Sequence, residues 1–386
     1  MSEQHSERAH AVTPLELFFD LVFVFGFTQV TTVLSDNPTW SGLGHGLLIL
    51  ATLWWAWAAY AWLTNMVDTG VGAVWAAMLF AMGAMFVASL AVPDVFGRRG
   101  VVFGVAFLIV NVMHLTLQAL TSRGNQELLA AILRYTPWAL SGASLILAAG
   151  FVHGGLKPIL WLAALAVGLF GPLLGGMSGW HIQPAHFVER HGLIVIIAIG
   201  ESLIAIGLGE RASGLNTGVV VAAVLGFVVA SSFWLAYFDF FPIRGERLLA
   251  DRSGAERTAL ARDVYTYLHL PMVAGIVLFA FAMKTTLAHV GKELDAIPAL
   301  GLAGGPALYL FAYVALRVRV SRTVGRGRLL AAIACALLFP VALVVPALVA
   351  LTLVAAVWVG LHAYELIWWR EARARTRAQR LAASAP

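Results

Sequence analysis

Long apolar runs, broken by short polar stretches, cover nearly the whole chain. A helix needs roughly 20 apolar residues to cross the hydrocarbon core of a bilayer, and run after run reaches that length. These runs lack the strict apolar–polar alternation of membrane strands, so helices rather than a barrel are predicted. The pattern places spans at about residues 15–34, 41–63, 71–92, 100–121, 127–149, 157–177, 186–208, 217–241, 263–287, 298–316, 328–345 and 347–369. The predicted fold class is all-α, a polytopic transmembrane helix bundle of about twelve spans. The fifth span is less regular because it contains Arg134, and the last two almost touch at Pro346. Those two read as a hairpin. One long broken helix, giving eleven spans, is the alternative.

Composition agrees with a membrane protein: 60% of residues are hydrophobic and 12% charged, against about 25% charged in an average soluble domain. A net charge of +5 in a soluble chain would suggest a nucleic-acid partner. In this chain the arginines gather in a few loops and the tail, so no nucleic-acid partner is expected. With the amino terminus inside, alternation brings Arg244, Arg247, Arg252, Arg257 and Arg262 to the inner side. Arg317, Arg319, Arg322, Arg326 and Arg328 join them, as does the tail with Arg370, Arg373, Arg375, Arg377 and Arg380. The outer side keeps Arg98, Arg99, Lys157, Arg211, Lys284 and Lys292. The positive-inside rule then predicts two cytoplasmic termini, and eleven spans would carry the basic tail outside. The chain divides into a cytoplasmic segment at 1–14, a transmembrane domain at 15–370 and a basic cytoplasmic tail at 371–386. Its first residues lack a signal peptide's apolar core and cleavage site. Cys335 is the single cysteine, which excludes an intrachain disulfide.

The seventh span weakly repeats the first. Asp20–Val30 slides onto Gly192–Ser202 at an offset of about 172, apolar on apolar, with Gln29 landing on Glu201. The second and eighth spans share Trp57/Trp234 and Tyr60/Tyr237 at a similar offset. Two parallel six-helix repeats, 15–180 and 181–370, are the expectation, with chance likeness of apolar segments as the alternative. Parallel repeats recur in transporters, whose sites lie near the bilayer midplane between the halves.

Ionisable groups in a bilayer cost several kcal/mol and face a bundle interior or a wet cavity. Glu16 and Asp20 project together from the start of the first span, one helical turn apart. Thr13-Pro14-Leu15-Glu16 is also a capping-box pattern, which gives Glu16 a structural role. Asp20, between Phe19 and Leu21, needs a partner. On the seventh span His186, Arg190 and Glu201 share a face, and Glu189 flanks Arg190. Glu201 lies about 18 Å along the axis from Glu189, near mid-membrane. It reads either as a pathway group able to hold a proton or as one partner of a helix-locking pair. Asn111, His114 and Gln118 form a stripe on the fourth span that suits interhelical hydrogen bonds. Arg134 is the obvious counter-ion for Asp20, Glu16 or Glu201. Asp263 and Tyr267 share one face of the ninth span, Tyr265 and His269 another, and His362 and Glu365 end the last. The pathway candidates are therefore Glu16, Asp20, Gln29, Asn111, His114, Arg134, His186, Glu189, Arg190 and Glu201.

Several signatures are missing. No G-x-x-x-x-G-K-[ST] phosphate loop is present, so the chain is not an ATP-driven pump by itself. C-x-x-C and G-x-S-x-G are absent too, and no catalytic residue, cofactor or metal is assigned. His186, Glu189, His191 and His362 lack compact ligand spacing such as H-E-x-x-H. The Trp residues of Leu53–Trp62 and Trp368–Trp369 read as packing and interface anchors.

TPLELFFDLVFVFGFTQVTTVL (Thr13–Leu34), WWAWAAYAWLTN (Trp54–Asn65) and HFVERHGLIVIIAIGESLIAIG (His186–Gly207) together resemble the bacterial low-temperature-requirement A family, LtrA. The likeness extends to LAVPDVFG (Leu90–Gly97), HLPMVAGIVLFAFAMK (His269–Lys284) and the polar segment Asn65–Thr69. It implies a multi-pass protein of the bacterial inner membrane, linked by name to growth in the cold, and no settled activity, substrate or cofactor.

The residues fit a secondary transporter or proton/ion-coupled permease best, with a small-molecule or ion substrate that the sequence does not identify. A non-transporting membrane stress or cold-adaptation factor is the alternative, and a membrane-embedded enzyme a third reading. Beyond the lipid bilayer no partner is named, and the oligomeric state is not legible. Reporter fusions after Arg252 and after Arg377 are expected to read cytoplasmic; an external signal at either position would overturn the topology.

Overall fold

The computed structural model describes residues 12–67, 72–174, 179–239 and 241–368. The Asp68–Thr69 end of the polar segment, the side chain of Arg211 and the basic tail lie outside them.

Among the described residues twelve long helices run in the predicted order. They are α1 (Pro14–Asp36), α2 (Trp40–Met66), α3 (Gly72–Ala91), α4 (Gly100–Thr121), α5 (Gln126–Phe151), α6 (Leu156–Leu174), α7 (Pro184–Ser213) and α8 (Thr217–Phe238). A short helix, α9 (Phe241–Ala250), leads to α10 (Gly254–Ala288), α11 (Ala296–Ser321), α12 (Arg326–Ala342) and α13 (Ala347–Trp368). Ten of them are long and apolar enough to cross a membrane. The other two are α5, made less apolar by Glu127, Arg134 and several hydroxyls, and α12, which has 17 residues. Leu21, Phe80, Leu162, Phe227, Leu330 and Leu337 all stand exposed on the outer surface. Water would penalise such a belt and lipid does not, so the chain is a multi-pass membrane helix bundle.

Local chemistry sets the helix starts. Thr13 caps α1 with the full capping box: its backbone N–H donates to Glu16 Oε2 at 2.9 Å, and Glu16 N–H donates back to Thr13 Oγ1 at 3.4 Å. Thr39, Asn125 and Asn216 cap α2, α5 and α8 through the side-chain oxygen alone, which accepts from the Gly42, Leu128 and Val219 N–H groups. Pro346 turns the chain between α12 and α13, so the broken-helix alternative falls. That turn is held because Ala347 N–H donates to Lys292 O at 2.7 Å and Leu348 N–H to Val290 O at 3.0 Å.

α10 and α11 depart from expectation. Both are longer than predicted, so Arg257 and Arg262, and Arg317 and Arg319, sit on helix rather than in loops. Each also contains a π-helical stretch, Arg262–Tyr267 and Leu300–Gly304. Pro271 and Pro306 follow these stretches and lack an N–H, which breaks the regular hydrogen-bond ladder. In α10 the freed carbonyls find side chains. Trp54 Nε1–H donates to Thr266 O at 2.8 Å, and the His269 ring donates from Nδ1 to Val264 O at 2.8 Å. Tyr265 and His269 share a face, as their spacing predicts, and stack with ring centres 5.0 Å apart.

The packing has a regular order. In the first half α1 touches α2 and α3, and contacts continue α3–α4–α5–α6 and back to α2. In the second, α7 touches α8 and α10, and contacts continue α10–α11–α12–α13 and back to α8. Tyrosines tie each ring across: Tyr60 of α2 donates to Val110 O of α4, and Tyr309 of α11 donates to Phe233 O of α8. Between the halves, α1 and α2 pack on α7 and α10.

α10 and α11 cross backbone to backbone. A Cβ on Gly275 would stand 2.5 Å from Gly305 O, and one on Gly305 would stand 2.6 Å from Gly275 O. Both obstacles are main chain and cannot swing away. Gly275→Val is therefore expected to destabilise by at least about 1–3 kcal/mol, read as a lower melting temperature in detergent. Gly360→Val, where no atom lies within 4 Å of the new Cβ, is expected to be nearly silent by that measure.

Candidate functional site

α1 and α7 lie side by side and run in the same direction. Three polar pairs join them at one constant separation of 170 residues. His186 Nε2 is 3.1 Å from Glu16 Oε1, Arg190 donates to Asp20 Oδ2 at 2.9 Å, and Thr31 donates to Glu201 Oε1 at 2.6 Å. The constant separation fixes the register. The repeat alignment at an offset of 172 sets Gln29 on Glu201, whereas the residue that faces Glu201 across the seam is Thr31.

The first two pairs form one buried cluster. Glu16, Asp20 and Arg190 are all 1% exposed or less. Arg190 Nη1 also donates to Glu16 O at 2.9 Å, its Nε lies 3.8 Å from Glu16 Oε1, and its guanidinium faces the Trp57 ring at 5.9 Å. Trp57 Nε1–H donates to Asp20 Oδ1 at 2.9 Å. Asp20 is thus answered by a cation from α7 and an indole from α2. Arg134, the counter-ion proposed from sequence, is exposed on α5 and stands outside this cluster. The reason is placement: α5 packs on α4 and α6, not on α1.

Hydrogen-bond direction orients the His186 ring. Asn65 Nδ2 donates to Gln183 O at 3.0 Å, and Gln183 N–H donates to Asn65 Oδ1 at 2.8 Å, so the amide cannot be flipped. The same Nδ2 faces His186 Nδ1 at 3.1 Å, and Nδ1 is placed to accept from it. Nε2 is then the ring nitrogen that donates to Glu16. The cluster sets two carboxyl groups against one guanidinium and one imidazole.

Glu201 lies deeper in the same interface and is 1% exposed. Among the described residues no guanidinium reaches it, and the cation that acts on it electrostatically is Lys284 of α10. Thr28 Oγ1 stands 2.6 Å from Oε2, and Thr31 Oγ1 stands 2.6 Å from Oε1. Each hydroxyl has a second acceptor on its own helix: Val24 O at 3.1 Å for Thr28, and Thr28 O at 2.9 Å for Thr31. A hydroxyl has one proton to give. When Glu201 is ionised, both hydroxyls donate to it. When it is protonated, it donates to one hydroxyl, which turns to its backbone carbonyl. Both states keep their hydrogen bonds, so a proton can come and go without stranding a buried polar atom.

Beside the cluster, His191 packs edge-on against Trp57 with ring centres 4.9 Å apart, and against Tyr265 and His269 at 5.0 and 5.5 Å. Tyr237 O–H donates to His269 Nε2 at 2.9 Å, because Nδ1 of that ring is spent on Val264. This aromatic plug joins α2, α7, α8 and α10.

The remaining sequence candidates go elsewhere. Gln29 is half-buried and takes no part in the bonds to Glu201. Asn111 donates to its own helix at Phe107 O, while His114 and Gln118 are buried in α4 away from the α1–α7 seam. Glu189 is exposed and accepts from Val12 N–H at 3.2 Å. Glu365 binds Arg328 at 2.7 Å, and Asp263 binds Arg262 and Arg319 at 2.7 and 2.8 Å. Sequence reasoning missed Thr28, Thr31, Asn65 and the polar use of Trp54 and Trp57. The two tryptophans are wholly buried donors rather than interface anchors. Trp234, aligned with Trp57 in the proposed repeat, is instead exposed.

The family model described as bacterial low temperature requirement A protein (LtrA) matches residues 11–363. An uncharacterized protein of Rhizobium meliloti (strain 1021) is 30% identical over 321 residues, which is 80% of this chain and 78% of that protein. No solved structure matches. The match takes in both helices of the buried cluster together with Glu201, and the chain belongs to the bacterial LtrA family of membrane proteins.

Proposed function

We propose that this protein is a proton-coupled secondary transporter or permease, with the α1–α7 seam as its moving part. The observation that carries the reading is Glu201: a mid-helix carboxyl, buried between two halves, answered by two hydroxyls that serve both of its protonation states. A group that only braced helices would be better held by a fixed cation. In the proposal Glu201 carries the coupling proton. The Glu16–Asp20–Arg190–His186 cluster is the closed gate on the side where α1 and α7 begin. Two carboxyl groups share one guanidinium and one imidazole there, so breaking their contacts would release α1 from α7. Two six-helix repeats, supported by the shared neighbour order and the matching tyrosine ties, supply the two bodies that rock. The arginine distribution supports an inner-membrane location with both termini cytoplasmic.

One observation favours the competing reading, a non-transporting membrane factor. The cluster is buried, and the cavities of about 440, 50 and 20 Å³ found among the described residues are lined by other residues. Glu201→Gln separates the two readings, because it keeps size and most hydrogen-bonding capacity and removes titration. It is expected to reach wild-type melting temperature in detergent yet fail to rescue a deletion strain. Full rescue by Glu201→Gln would count decisively for the structural reading. Glu201→Leu strands both hydroxyls and is expected to lower the yield of folded protein.

The gate makes a separate prediction. Arg190→Gln leaves two buried carboxylates uncompensated and is expected to cost about 3–5 kcal/mol. Adding Asp20→Asn removes one of them and should recover part of that loss in detergent melts. Additive losses in the double variant would show that Asp20 and Arg190 do not act as a pair.

A further inference from the structure

The second half of the protein holds a cavity of about 440 Å³ that the transport reading does not use. Its size falls in the range of small-ligand sites. Two neighbouring helices and one short one build its basic wall. α9 brings Arg244 and Arg247, three residues apart on one face, α11 brings Arg317, and α12 brings Arg328. The acids of the lining are Asp251 and Glu365, so four guanidiniums meet two carboxylates. Glu365 is committed to Arg328 by bonds of 2.7 and 3.2 Å.

Arg328 is an anchored group rather than a swinging surface chain. It is 6% exposed, donates to Ala236 O at 3.1 Å, and lies over the Tyr313 ring at 3.9 Å. At the rim, Arg317 Nε donates to Thr323 Oγ1 at 3.2 Å, and the Ser321 and Thr323 hydroxyls are 2.8 Å apart. The same two helices, α9 and α11, also line the cavity with apolar Phe241, Leu248, Leu316 and Val320. The cavity thus combines guanidiniums and hydroxyls with an apolar wall. Guanidinium forks match phosphate oxygens, and the apolar side chains would be wasted on a bare inorganic ion.

We propose that this cavity binds a phosphate ester, with its phosphate against Arg244, Arg247 and Arg317 and its less polar part against the Phe241–Leu316 wall. The same chemistry has two sources: the headgroup of an anionic phospholipid, or a soluble phosphate ester. The site shares no residue with the Glu201 seam, so it stands or fails independently of transport.

The test uses the full-length protein in detergent, titrated with phosphatidylglycerol, with glycerol 3-phosphate, and with phosphatidylcholine as the zwitterionic control. Saturable binding, read as a rise in melting temperature, is expected with at least one anionic probe and not with phosphatidylcholine. A response to phosphatidylglycerol alone assigns the lipid source; a response to glycerol 3-phosphate shows that the soluble ester suffices. Arg244→Gln with Arg247→Gln is expected to weaken binding by about tenfold or more. Arg322→Gln with Arg326→Gln removes as many exposed charges outside the lining and is expected to leave affinity within about twofold. Should the first pair alter the melting temperature without probe, Arg317→Gln provides the same reading from another helix. No saturable response to either anionic probe would overturn the proposal. So would equal losses in both double variants, which would mark diffuse surface attraction.

Discussion

Arg190 is a guanidinium with no exposed surface in a bundle meant for lipid, and the arrangement of the first half against the second follows from the need to satisfy it. An uncompensated charge at that depth would cost several kcal/mol. Its partners all come from across the seam: the Asp20 carboxylate, the Glu16 carbonyl and the face of Trp57. Satisfying it brings α1 and α2 onto α7, and α10 then closes behind them. Because α1 and α7 run parallel, one register serves every pair along the seam. A slide by one helical turn would break the His186, Arg190 and Glu201 contacts together. Partial slippage therefore gains nothing, and the seam behaves as an all-or-none joint.

Hydrogen bonds secure the two ends of that joint. Near its start, the fixed orientation of Asn65 aims the His186 ring at Glu16, beside the Asp20–Arg190 pair. Deeper in, Thr28 and Thr31 give Glu201 hydrogen-bond partners with or without a proton. Both places bridge the halves.

Much of the fold was legible because lipid allows few solutions. Span order, the hairpin at Pro346 and the Thr13 capping box could be read from run length, a proline and a four-residue pattern. Asp20 and Arg190 could be singled out as residues needing partners, since charge within an apolar run always asks for one. Which partner it finds was not legible for Asp20. Arg134 and Arg190 look alike in sequence, and only helix adjacency separates them. Thr28, Thr31 and Trp57 were invisible for a different reason. Hydroxyls and indoles are tolerated in any membrane helix, and their polar use depends on what stands opposite. The π stretches of α10 and α11 also escaped, although Pro271 and Pro306 are in retrospect the signals that a regular ladder could not continue there.

The crossing of Gly275 and Gly305 has a mechanical consequence. Apolar side chains between helices act as a lubricant of many small rotamer choices, and helices so separated can shear. At this crossing the two backbones touch with nothing between them but hydrogen atoms. Shear would drive each glycine carbonyl against the facing glycine's Cα, so this crossing resists sliding of α10 past α11. Any flexing of the second half must then be taken up at its edges, where α7 meets α1 and where the short helix α9 joins the loops.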